Sequence, residues 1–249
     1  MNAVAFFFGT MSFLVVHHNK TLTASLPSTN YPKQIDEIKV PAGYERIPVS
    51  AASFGSFLRK QPLKKETTVY LYNGTPKYNQ TAQYAVLDIS VGQRDLQQCA
   101  DAVMRLRAEY LRQQQQPICF ADNAGKKYCW EKYKQHGWQR YLETVFGMCG
   151  TLSLEKELKP KTWNQLTLGD VLIKGGSPGH AVIIMDVARH RQTGELIYLL
   201  AQSYMPAQDI HVLQNRNEKA LSPWYRVDKS TTINTPEWTF YANQLRSWH

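Results

Sequence analysis

From Leu168 to Gln202, three apolar runs alternate with turn-forming residues, and this pattern restricts the fold more than any other part of the chain. Gly169-Asp170-Val171-Leu172-Ile173 leads through Gly175-Gly176-Ser177-Pro178-Gly179 into His180-Ala181-Val182-Ile183-Ile184-Met185. After a polar turn at residues 189–195, Leu196-Ile197-Tyr198-Leu199-Leu200-Ala201 ends in Gln202-Ser203-Tyr204. Runs of this length bounded by glycine and proline predict strands of an antiparallel meander. In that arrangement a histidine opening one strand lies beside a carboxamide closing the next. An imidazole needs a fixed neighbour if one tautomer is to dominate and its free nitrogen is to face a reaction partner.

With 249 residues and 43% hydrophobic content, the chain can bury one large core, so disorder of the whole is excluded. The net charge of +9 is scattered rather than gathered into a stripe. There is no zinc-finger spacing, aromatic RNA-binding signature or basic heptad region, so nucleic acid is not an expected partner. An anionic polymer, an acidic surface or a merely soluble basic protein fits the charge. Residues 3–16 are apolar and rich in phenylalanine, too short to span a bilayer. Residues 1–24 thus read as an apolar leader or partial signal segment, with Leu22-Thr23-Ala24 as a processing site, although no Lys or Arg precedes the run. The expected location is the cell envelope or periplasm, with the cytoplasm as the alternative. Residues 25–40 read as a linker through Pro27, Ser28, Asn30 and Pro32, and 41–249 as a single domain.

Cys99, Cys119, Cys129 and Cys149 lack close-paired metal spacing, so zinc is disfavoured; neither a metal nor a cofactor is expected. Cys119 and Cys129 flank a turn at residues 123–125 and can face each other across a hairpin, which an oxidising compartment would let them bridge. Cys149 follows the apolar helical stretch 141–148 and reads as a small buried hydrophobe. Cys99 stands differently. A strand at 84–91 is broken by Gly92, after which Asp95 can cap a helix with Gln98 completing a capping box; the helix runs through Val103, Leu106 and Tyr110 into the glutamines 113–116. Cys99 then sits in the first helical turn, where free amides and the helix dipole favour thiolate. Leu96, Cys99, Val103 and Leu106 also form an apolar stripe, so core packing and nucleophile are both open readings.

Cysteine at a helix start, histidine at a strand start and an amide at the next strand's end occur in the order Cys99, His180, Gln202. This order resembles the papain-like superfamily, especially the CHAP-type and NlpC-type cell-wall amidases and peptidases, where Gly-Asp-Val and a Gly-His strand carry the base. Residues 198–204 are similar to the papain strand ending in asparagine, serine and an aromatic. Gln93, six positions before Cys99, matches the position of an oxyanion-hole glutamine. Gln98-Cys99-Ala100 replaces the Asp-Cys-Ser and Cys-Trp motifs, and Gln202 replaces the commoner asparagine, histidine or acid. The likeness covers about residues 91–212. Over 54–58, 95–110, 150–158 and 200–210 the chain also resembles a domain of unknown function from Bacteroidetes-type bacteria, which brings no activity with it.

The papain-like resemblance implies an α+β fold with helices packed on an antiparallel sheet, a Cys-His-Gln hydrolase, and a peptide or cell-wall-type substrate. A non-catalytic envelope binding or assembly protein keeping the same fold is the alternative. Oligomeric state is set by no feature of the sequence. His211, alternating with apolar neighbours, reads as a solvent-facing strand residue, while Asp88 and Asp186 read as sheet-edge positions or as groups that orient a base or a basic partner. His17 and His18 suggest nothing specific. Trp130, Tyr133, Trp138 and Tyr141 suit either sugar stacking or packing. Asn73-Gly74 predicts a turn after residues 68–72, short helical signals fall at 50–60 and 138–158, and the tail from Leu221 reads as irregular cover.

Overall fold

The computed structural model describes Met1 and residues 31–248; the apolar leader, its processing site, His17, His18 and the first part of the expected linker lie outside the described residues. From Tyr31 onward the chain forms one unit. Ile35 and Ile38, inside the stretch read as linker, are fully buried in the core.

Strand β1 (Tyr44–Arg46) precedes helix α1 (Phe54–Arg59), whose N-cap Ser53 accepts the Ser56 N–H at 3.1 Å. The Asn73-Gly74 turn forms, but residues 68–72 make only isolated bridges, Tyr70 to Pro76 and Leu71 to Gln208, not a strand. β2 (Gln83–Val86) stops well short of Gly92. Helix α2 (Cys99–Gln113) begins later than Asp95 would place it, and Asp95 is not its cap. The Asp95 carboxylate instead accepts Gln98 Nε2–H at 3.0 Å and the Ala207 N–H at 2.6 Å, tying two loops together. Gln98 is the N-cap, and its N–H is accepted by Asp101 at 2.9 Å. The helix ends in the glutamine run as expected.

β3 (Cys119–Ala121) and β4 (Lys127–Cys129) form a hairpin in which Cys119 stands opposite Cys129 and is bonded to it. The helical middle divides into α3 (Trp138–Met148) and α4 (Thr151–Glu157). Then come β5 (Lys159–Pro160), β6 (Val171–Lys174), β7 (His180–His190), β8 (Leu196–Gln202) and β9 (His211–Leu213), the last four in the expected antiparallel meander. The tail departs from its sequence reading, because it supplies β10 (Tyr225–Arg226), the hairpin β11 (Thr232–Asn234) and β12 (Thr239–Tyr241), and β13 (Leu245–Ser247). These strands are two or three residues long, too short for a period-two pattern to show.

The main sheet runs β2-β9-β8-β7-β6-β13-β5, with β1 added to the far end of β7 and β10 to β8. Its pairings are antiparallel. β7 lies at its centre and is covered on both faces. Ala181, Ile183 and Met185 pack with residues of α2 and α3, while Val182, Ile184 and Val187 pack with Tyr198, Leu200 and Phe240. That double cover explains a continuous apolar run where a half-exposed strand would alternate. A bulge between Ile184 and Asp186 inserts one residue and exchanges the faces beyond it, so Ala188 returns to the helical side. Helices on one face of a large antiparallel sheet make the chain α+β.

Candidate functional site

His180 opens β7 immediately after Gly179, and that glycine is required by crowding. A Cβ there would stand 2.5 Å from Thr151 Oγ1 and 2.7 Å from the Lys174 carbonyl oxygen, so a side chain would push the loop off α4 and β6. The imidazole is only 1% exposed. Rings of Tyr204, Trp238 and Phe240 surround it at centroid distances of 4.7, 5.4 and 5.7 Å. Burial among them disfavours the charged form and brings His180 down to about 4, so the ring is neutral at neutral pH.

Gln202 closes β8, as the sequence predicts, and its Oε1 lies 2.8 Å from His180 Nε2. An amide oxygen only accepts, so Nε2 carries the proton and Nδ1 keeps its lone pair. Nδ1 makes no hydrogen bond among the described residues. Gln202 Nε2 lies 2.7 Å from Glu237 Oε2 and 3.4 Å from His211 Nε2, and Lys77 Nζ lies 2.6 Å from the same Glu237 oxygen.

Cys99 is the first residue of α2 and lines, with His180, a cleft of about 340 Å³ whose walls include Gln98, Cys149, Tyr204 and Trp238. The sequence expectation of a depressed thiol is corrected here. Desolvation pushes the Cys99 thiol up, and the N–H groups of Ala100, Cys99 and Ala181 oppose it without prevailing. Since Ala181 follows His180, the sulfur sits at the start of β7. Among the described residues no hydrogen bond joins the thiol to His180. Cys149 is a buried free thiol, as expected, but it also lines the cleft, and burial pushes it up to about 12.

Gln93 is not brought into the site: it is exposed and does not line the cleft, because residues 93–98 form an irregular loop tied by Asp95. Gln98, next to the thiol, is the glutamine in the cleft wall. His211 does not face solvent; β9 is an inner strand between β2 and β8, and the ring is fully buried. Asp186 is likewise no edge residue, being fully buried in central β7 and paired with Arg46 and Arg59. Asp88 is exposed. The aromatic group packs on itself, with Trp130 edge-on to Trp138 at 5.2 Å and Trp138 tilted against Tyr141 at 5.5 Å, and Arg112 covers Trp138 at 4.6 Å.

Sequence reasoning missed Lys77, Glu237, Trp238 and Phe240, while Tyr204 is the aromatic that ends the papain-like segment 198–204. The only trace of them was Pro236-Glu237-Trp238, an acid beside an aromatic in a segment without visible periodicity. Among the described residues no cluster of three His, Cys, Asp or Glu is placed to hold a metal ion, and no helix is long and apolar enough to cross a membrane. Neither a curated protein nor a solved structure matches the chain. The family described as Domain of unknown function (4846) matches it over residues 35–137 and 124–247, and the chain belongs to that family.

Proposed function

We propose that the protein is a cysteine hydrolase, an amidase or peptidase of envelope peptides, with Cys99 as nucleophile, His180 as base and Gln202 as the group that orients it. One observation carries this reading: the Nε2–H bond from His180 to Gln202 at 2.8 Å leaves Nδ1 without a hydrogen-bond partner among the described residues, and His180 lines the same cleft as Cys99. The arrangement supports the papain-like likeness of the sequence, in which the same three roles fall in the same order. Both resting groups are neutral, since burial lowers His180 and raises Cys99. The thiol proton therefore passes to Nδ1 as sulfur attacks the carbonyl carbon. The oxyanion meets the backbone N–H groups of Cys99 and Ala100, which face the sulfur in the resting site. The imidazolium then protonates the departing amine, leaving a thioester on Cys99, and a water deprotonated by Nδ1 cleaves it to a carboxylic acid and the free thiol. The Cys119–Cys129 bond supports an oxidising compartment and hence an envelope location.

A second reading, a non-catalytic envelope binding or assembly module, is favoured by the burial of the thiol and by the lack of a hydrogen bond from it to His180. Cys99→Ser separates the two. In a hydrolase it abolishes release of new amine groups from a peptidoglycan-peptide digest while the melting temperature moves little. Absence of wild-type turnover on a panel of amides and esters, with Cys99→Ser changing only the melting temperature, would leave the binding module standing.

A further inference from the structure

We propose that Glu237 is the positioning residue that fixes which end of the Gln202 amide faces His180, and thereby which ring nitrogen carries the proton. An amide can turn end for end at little cost, because its oxygen and its NH2 are nearly the same size. Turned the other way, Gln202 would offer an N–H to His180 Nε2. The proton would then sit on Nδ1, the nitrogen that must receive the thiol proton.

A carboxylate has no proton to give, so only the NH2 end of Gln202 can face Glu237, and the 2.7 Å contact fixes the choice. His211 adds to it. Its Nδ1 lies 2.9 Å from the Asp209 carbonyl oxygen and must donate there, so its Nε2 holds a lone pair for the second Gln202 N–H at 3.4 Å. Glu237 is itself held by Lys77 Nζ at 2.6 Å on one oxygen and Asn79 Nδ2 at 3.2 Å on the other. Lys77 and Glu237 side chains are 9% and 13% exposed, so the pair acts on Gln202 with little screening by water.

The kinetic half of the test rests on the hydrolase reading and the spectroscopic half does not. In protein labelled with 15N-histidine, two-bond proton–nitrogen correlations report each neutral tautomer. Wild type is expected to show His180 as the Nε2–H form alone. Glu237→Gln can present either end of its own amide, so a mixture with the Nδ1–H form is expected. On an amide substrate kcat should fall roughly tenfold to a hundredfold, as for partners one bond removed from a working group, with KM nearly unchanged. If the unpaired Lys77 prevents folding, Lys77→Met combined with Glu237→Gln removes both charges together, and the same tautomer mixture is expected. A single Nε2–H form in whichever variant folds overturns the proposal. A tautomer shift without wild-type turnover sinks the hydrolase reading and leaves the positioning role standing; turnover without a tautomer shift does the reverse.

Discussion

Strand β7 carries two buried polar clusters, one at its first residue and one at its bulge, and they differ in what they leave unsatisfied. At the bulge, Asp186 takes Arg46 Nε on one oxygen at 2.6 Å, and Arg59 Nε and the Val187 N–H on the other at 2.7 and 2.8 Å. Burial pushes that carboxyl up, and the two guanidinium groups oppose the rise without reversing it. Every strong partner it can use is supplied by the protein. At the strand start, His180 is buried as deeply, yet among the described residues only one of its nitrogens is hydrogen-bonded, and the residue lines a cleft. A closed cluster secures the fold. One that stops short of closure has a place for a reacting group, and leaving it open costs stability that the rest of the molecule must offset.

The largest effect that would sharpen the contrast belongs to the closed cluster. Asp186→Asn leaves two guanidinium groups without their anion and should destabilise the protein by about 3–5 kcal/mol in denaturant unfolding, with turnover per folded molecule unchanged. Loss of turnover with stability intact would place Asp186 in the chemistry and dissolve the distinction. The pH profile probes the open cluster. If His180 acts as the proposed base it must be unprotonated, and burial brings it to about 4 rather than 6.5, so kcat/KM should hold steady as pH falls through 6.5 and drop only near 4. An acid limb at 6.5 would mean that the ring is solvated. The smallest effect is in alkylation. Burial raises both cleft thiols, Cys149 as far as about 12, so iodoacetamide should label Cys99 first at neutral pH, and each more slowly than an exposed cysteine. Preferential labelling of Cys149 would show the cleft opening from its other wall.

The meander and the pair His180 and Gln202 were legible because they sit at strand ends marked by glycine, proline and a sudden loss of apolar residues. The helix start was harder to read. Asp95 with Gln98 and Gln98 with Asp101 both have capping-box spacing, and what chose the second was the Ala207 N–H claiming Asp95 from a distant loop. The thiol was misjudged for a similar reason: a helix terminus is visible in sequence, whereas the desolvation that outweighs it depends on what packs above. His211 looked like a half-exposed strand residue because three residues carry no sign of neighbours on both sides. Glu237 and Lys77 come from segments with no regular period, and only the folded sheet puts them behind Gln202.

The segment after β10 does more than cover the sheet. It brings Trp238 and Phe240 against His180 and Glu237 against Gln202, and inserts β13 beside β6. Cys99 and His180 are therefore translated well before the groups that enclose His180 and hold Gln202. A chain interrupted ahead of residue 237 carries the thiol and the imidazole but not the carboxylate behind Gln202. Time along the ribosome, as well as distance in space, separates the parts of this site.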